Sequence, residues 1–243
     1  MKPATRLVIG TFIAAGVLGI ASRAVAAQDR VQRNFTVRIE NISKGHVLKL
    51  SNGTDAPFAL SPGLWLVHTS DVPVFKSGQK DRSKGLEAQA EDGNPAVLAK
   101  SLERQPGVVS VGVFNTPVGA TGPGPAGPGS AFEFSFSAAP GARLTFATMF
   151  GQSNDLFYAP NDSGIALFGK NGRPIKGDIT SKVILWDAGT EVNQEPSLGP
   201  DQAPRQKAPN TGPAESEPVA PVKDAFTYPK TKDVMRVTIT PDK

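Results

Sequence analysis

Short runs in which apolar and polar residues alternate constrain this chain more than any other feature. In NFTVRIENIS, Phe35, Val37 and Ile39 alternate with Thr36, Arg38 and Glu40. In AFEFSFSA, Phe132, Phe134 and Phe136 alternate with Glu133 and Ser135, and in ARLTFATMF, Leu144 and Phe146 alternate with Thr145 and Ala147. A period of two places one side of each run against a core and the other toward water, which is the pattern of a half-buried strand. HVLKLS, GLWLVHT, GIALFG, KVILWD and DVMRVTIT extend the series, the last with Met235, Val237 and Ile239 on one side. GVVSVGVF reads as a buried strand. Val183 to Trp186 is apolar on both faces, as in a central strand. Ser-Pro-Gly (61–63) and Ala-Pro-Gly (139–141) read as turns, the second closing a hairpin. With 25 glycines and 22 prolines among 243 residues, the chain favours strands and loops over a helical bundle. The expected fold is all-β: an antiparallel β-sandwich with long loops.

One or two short helices are expected in the middle. DRSKGLEAQAED stops at Gly93, and Asn94 caps NPAVLAKSLER, with Pro95 at the first helical position and Val97, Leu98 and Leu102 on one face. Residues 115–130 (NTPVGATGPGPAGPGS) lose any three-residue glycine register and read as a surface loop rather than collagen. Residues 197–226 are a Pro-rich loop or arm, too polar to pack alone, and 227–243 return as a terminal strand to the core at 30–196. One mature domain results.

Residues 1–26 carry the marks of a signal peptide: Lys2 and Arg6, an apolar stretch from Leu7 to Ala21, and the small residues of Ala24 to Ala26. The alternative is an uncleaved anchor, although the stretch falls short of the roughly 20 residues a span requires. Export to the periplasm or beyond is expected, with no membrane span in the mature chain. Loss of Lys2, Arg6 and Arg23 takes the formal charge from +4 to +1. No basic run with interleaved aromatics is present, so nucleic acid is not an expected partner. The chain has no cysteine, which rules out a thiolate metal site.

Two phrases break the strand pattern. MFGQSNDLFYAP sets Asn154 beside Asp155 between apolar runs, and LWDAGTEVNQEP puts Asp187 and Glu191 directly after one. Both acids follow a strand, and loops of a sandwich gather at its ends. Carboxylates crowded at one end must be solvated, protonated or neutralised by a cation. Asp155, Asp187 and Glu191 supply hard oxygens, and Gly189 lets the backbone bend so that carbonyls of Ala188 to Thr190 add to them. With two histidines and no cysteine, such a set suits Ca2+ before Zn2+. No EF-hand loop is present.

Glu91 and Asp92 read as an exposed helix end, and Trp65 and Trp186 as core anchors. His68, Ser70 and Asp71 contain the residue types of a hydrolase, but adjacent positions on a strand point to opposite faces, and no G-x-S-x-G elbow or phosphate loop is found.

The phrases LSPGLWLVH, GLEAQAEDGNP, MFGQSNDLFYAP, GIALFGKNGRPIKGDIT and LWDAGTEVNQEP, in order between about Phe35 and Pro196, resemble the spondin-domain family in its stand-alone bacterial-type form. SND with its following aromatic is similar to the family's Ser-Pro-Asp-Trp phrase, and WDAGTE to its Trp-Asp-Ala-Gly-Thr-Asp phrase. The resemblance, to the module type found in F-spondin and mindin, implies a C2-like sandwich with calcium at loops on one end, held by Asp155, Asp187 and Glu191. Asn154 in place of Pro and Glu191 in place of Asp are departures. So is the lack of the cysteines and thrombospondin-type repeats of animal members. The resulting expectation is a non-enzymatic, calcium-binding module for an envelope or extracellular ligand, protein or glycan. A periplasmic hydrolase using the acidic cleft is the alternative.

Overall fold

The computed structural model describes residues 32–69 and 74–242. The signal segment expected at 1–26 lies outside them, as do Ser70 and Asp71. Thirteen strands form among the described residues, and every strand pair is antiparallel.

The alternating run at the start becomes β1 (Arg33–Asn41), flanked by β6 (Ala131–Ala138) and β13 (Met235–Pro241). Phe35 faces Phe136, Val37 faces Phe134 and Ile39 faces Phe132 across β1 and β6, while Val37 and Ile39 also face Ile239 and Val237 of β13. This register puts Phe35, Val37, Ile39, Phe132, Phe134, Phe136, Met235, Val237 and Ile239 on one face. Arg38, Glu40, Glu133 and Arg236 stand on the other face in exposed ion pairs. A short edge strand, β10 (Gly177–Asp178), completes the four-stranded sheet.

The second sheet runs β12 (Ala220–Pro221), β11 (Ile184–Asp187), β8 (Leu156–Ala159), β7 (Arg143–Phe150), β4 (Leu60–His68), β5 (Val108–Phe114), with β9 (Ile165–Ala166) also paired to β7. Leu60, Val67, Leu144, Phe146, Leu156 and Tyr158 face the first sheet and make the main core. Leu64, Leu66, Ala147, Phe157, Ala159 and Trp186 point the other way, under helices α1 (Leu86–Glu91) and α2 (Ala96–Leu102) and the ring of Phe75. This sheet is therefore buried on both faces, which explains why Val183 to Trp186 lacks alternation. Outside the two sheets, β2 (His46–Lys49) and β3 (Asp55–Pro57) form a hairpin, and a single helical turn, α3 (Thr231–Val234), leads into β13.

Several local expectations are corrected. Ala139-Pro140-Gly141 does not close a hairpin, because β6 and β7 belong to different sheets and the turn carries the chain between layers. Ser-Pro-Gly lies inside β4, where the register with β7 shifts between Leu60 and Gly63. Gly63 suits that irregularity because a Cβ there would stand 2.2 Å from the Ala147 carbonyl oxygen. GVVSVGVF is an edge strand and leaves Val109 and Val113 exposed. The first helix starts only at Leu86, since Gly85 before it is left-handed with φ +103°. Pro95 is the N-cap of α2 rather than its first residue, so Asn94 lies one position before the cap, where its Oδ1 accepts the Ala96 N–H; Val97 faces water while Leu98 and Leu102 are buried.

Candidate metal centre

Ser153, Asn154 and Asp155 sit between β7 and β8 and act as a clamp for the loop after β11. Ser153 Oγ donates to the Phe150 carbonyl and accepts the Leu156 N–H, closing the turn on itself. Asn154 Oδ1 accepts the Gln194 N–H, and its Nδ2 donates to Val192 O and to Glu191 Oε2. Asp155 is fully buried. Its Oδ2 accepts the N–H groups of Thr190 (2.9 Å) and Glu191 (3.2 Å), its Oδ1 lies 2.7 Å from Thr190 Oγ1, and its carbonyl accepts the Ala188 N–H. The carboxamide and carboxylate thus supply the acceptors and donors that strand pairing leaves off where β8 and β11 end.

Asp187 ends β11 opposite Leu156. Its Oδ1 accepts the Gly189 N–H, and Asn193 Nδ2 donates to its Oδ2. Gly189 takes φ +70°, a conformation that favours glycine. A Cβ there would also stand 2.4 Å from the Glu217 carbonyl oxygen, so the arm approaches closely at this point.

The Pro-rich arm is a wall of the site. Val192 N–H donates to Pro213 O, Glu215 N–H to Thr190 O and Glu217 N–H to Gly189 O, an irregular ladder that leads to β12 beside β11. Val219 is buried and Gln202 is fully enclosed. The carbonyls of Gly189 and Thr190, expected from the sequence as metal ligands, accept these arm N–H groups instead. The ladder turns Glu215 inward, and one carboxylate oxygen from each of Asp155, Asp187 and Glu215 lies within 4.8 Å of the others. That spacing lets the three close on a single metal ion.

Of the residues singled out in the sequence, Asp155 and Asp187 come together. Glu191 lies beside them, its carboxylate held by Asn154 and packed against Gly212, outside the group of three. Glu215 was missed, because nothing periodic surrounds it in the sequence. Glu91, expected at an exposed helix end, is 1% exposed, and its Oε1 lies 3.0 Å from Thr190 Oγ1. The only signal for it was that Glu91 falls at the end of an amphipathic helix facing a sheet.

The electrostatics are one-sided. Burial pushes the Asp155 carboxyl up to about 8, against the opposing pull of the Thr190 and Glu191 hydrogen bonds, with repulsion from Asp187 adding to it. Burial raises Glu91 to about 9, reinforced by Glu191, and Glu191 to about 7. Glu215 is raised by burial and then by Asp187. Among the described residues, the salt bridges all lie elsewhere. His68, the residue of the alternative hydrolase set, is buried on β4 with its Nε2 3.0 Å from Thr145 Oγ1. In comparisons with known proteins, no family model and no curated protein matches the chain.

Proposed function

We propose that the chain is an exported, calcium-dependent β-sandwich module that binds an envelope or extracellular ligand. The observation that carries the reading is the convergence of Asp155, Asp187 and Glu215 from three separate segments, with no salt bridge among the described residues reaching any of them. Like charges brought this close repel, and a divalent cation converts the repulsion into attraction. The donors are all hard oxygens, and the chain has no thiol, which favours Ca2+ over a softer metal. Ca2+ takes six to eight oxygens. Three carboxylates leave positions for water or for oxygens of a ligand, so the same ion can serve the module as a bridge to a carboxylated or hydroxylated polymer. Export rests on the sequence of residues 1–26, and the resemblance to spondin domains belongs to the same proposal.

The test is a thermal unfolding series in EDTA and in Ca2+, with Asp187→Asn alongside. At free Ca2+ about 100-fold above the dissociation constant, linkage predicts a gain of about 2.7 kcal/mol, absent in the variant. A wild-type curve indifferent to both chelator and calcium would overturn the proposal.

A further inference from the structure

We infer that the acidic end takes two divalent cations, the second bound at Glu91 and Glu191, beside the Asp155–Asp187–Glu215 group. The inference rests on the metal-binding reading above and extends it.

The starting observation is Glu91 Oε2. The Glu91 side chain is 1% exposed, and while Oε1 reaches the Thr190 hydroxyl, Oε2 is buried with no hydrogen-bond partner. A carboxylate oxygen enclosed in this way loses its hydration with nothing in return, and buried polar atoms rarely persist so. Thr190 sharpens the problem. Its single hydroxyl hydrogen faces both Asp155 Oδ1 at 2.7 Å and Glu91 Oε1 at 3.0 Å. One hydroxyl donates once, so two ionised carboxylates cannot both be served. Either a proton stays on one of them, or a cation takes over the other.

Charge favours the cation. Glu91, Asp155, Asp187, Glu191 and Glu215 gather around Thr190, and no salt bridge among the described residues reaches any of them. One divalent ion leaves most of this charge uncompensated. Of the charged neighbours of Glu91, Glu191 repels it most. Glu191 is itself fixed, because Asn154 Nδ2 donates to its Oε2 and Gly212 closes over it; a Cβ at Gly212 would stand 2.5 Å from that oxygen. The two carboxylates come from different segments, helix α1 and the loop after β11, and stand close enough to repel each other, so a cation there can take oxygens from both. The ligand class is a hard divalent cation, for the same reasons as at the first position.

Calorimetric titration of Ca2+ into the EDTA-stripped chain tests this, with Glu91→Gln as the comparison. Glutamine keeps the shape of the side chain and can donate to Thr190, so the variant is expected to fold, and circular dichroism checks that it does. Two equivalents are expected for the wild type and one for Glu91→Gln, with Glu191→Gln behaving the same way. One equivalent in the wild type, unchanged by Glu91→Gln, overturns the second position and leaves the first standing. Two equivalents untouched by Glu91→Gln overturn its placement. No binding at all overturns the single-ion reading on which it rests.

Discussion

Asp155 is tied twice to Thr190, through the threonine hydroxyl at 2.7 Å and through its backbone N–H at 2.9 Å. The pair joins the turn before β8 to the loop after β11. Because Asp155 is fully buried, neither contact can be replaced by bulk water. Thr190→Val keeps the shape and removes the hydroxyl. Leaving a buried acceptor short of a partner costs about 1–3 kcal/mol, and urea unfolding in EDTA should show a loss of that size.

Gly189 is expected to be the least replaceable residue of the site loop. Its φ of +70° strains any side chain, and the Glu217 carbonyl occupies the space a Cβ would fill. Gly189→Ala should break the Glu217 N–H to Gly189 O contact and loosen the arm. The expected readout is faster proteolytic cleavage within residues 199–217, with the sandwich core still protected.

The pH dependence of the metal-free protein should run opposite to that of a salt-bridged protein. Glu91, Asp155 and Glu191 titrate near 9, 8 and 7 in the folded state, each well above its ordinary value near 4. Between those limits the folded chain holds more protons than the unfolded one, so stability falls as pH rises. Urea midpoints in EDTA should therefore decrease from pH 5 to pH 9. Saturating Ca2+ should remove most of the slope, since the ions replace the protons. A midpoint that rises over this range in EDTA would contradict the assigned burial of these carboxyls.

These expectations depend on residues that were unequally legible in the sequence. Alternation in Phe35, Val37 and Ile39 and in Phe132, Phe134 and Phe136 identified half-buried strands, because one face of the first sheet meets water. Alternation of Leu144 and Phe146 found β7 but not that its other face is covered as well, it gave no strand at β8, which is buried throughout, and it could not say that β6 and β7 belong to different layers. Asp155 and Asp187 were visible because each interrupts an apolar run beside a residue suited to a turn. Glu215 was invisible for a physical reason: the backbone ladder to Gly189 and Thr190 positions it, and such a ladder leaves no side-chain pattern. Glu91 was misjudged because helix α1 is short and its last turn lies under the loop after β11 rather than in solvent.

Glu215 offers the sharpest separation between the arm as a structural strap and the arm as a supplier of a ligand. Glu215→Gln leaves the N–H to Thr190 O ladder untouched, since that contact is made by backbone atoms. It removes one of three converging carboxylates. In EDTA the variant should be at least as stable as the wild type, because a repulsive charge beside Asp187 is gone. In Ca2+ it should lose most of the roughly 2.7 kcal/mol gain expected at 100-fold saturation. A variant that is destabilised equally with and without calcium would assign Glu215 to packing alone, whereas a loss seen only in calcium places its carboxylate on the ion.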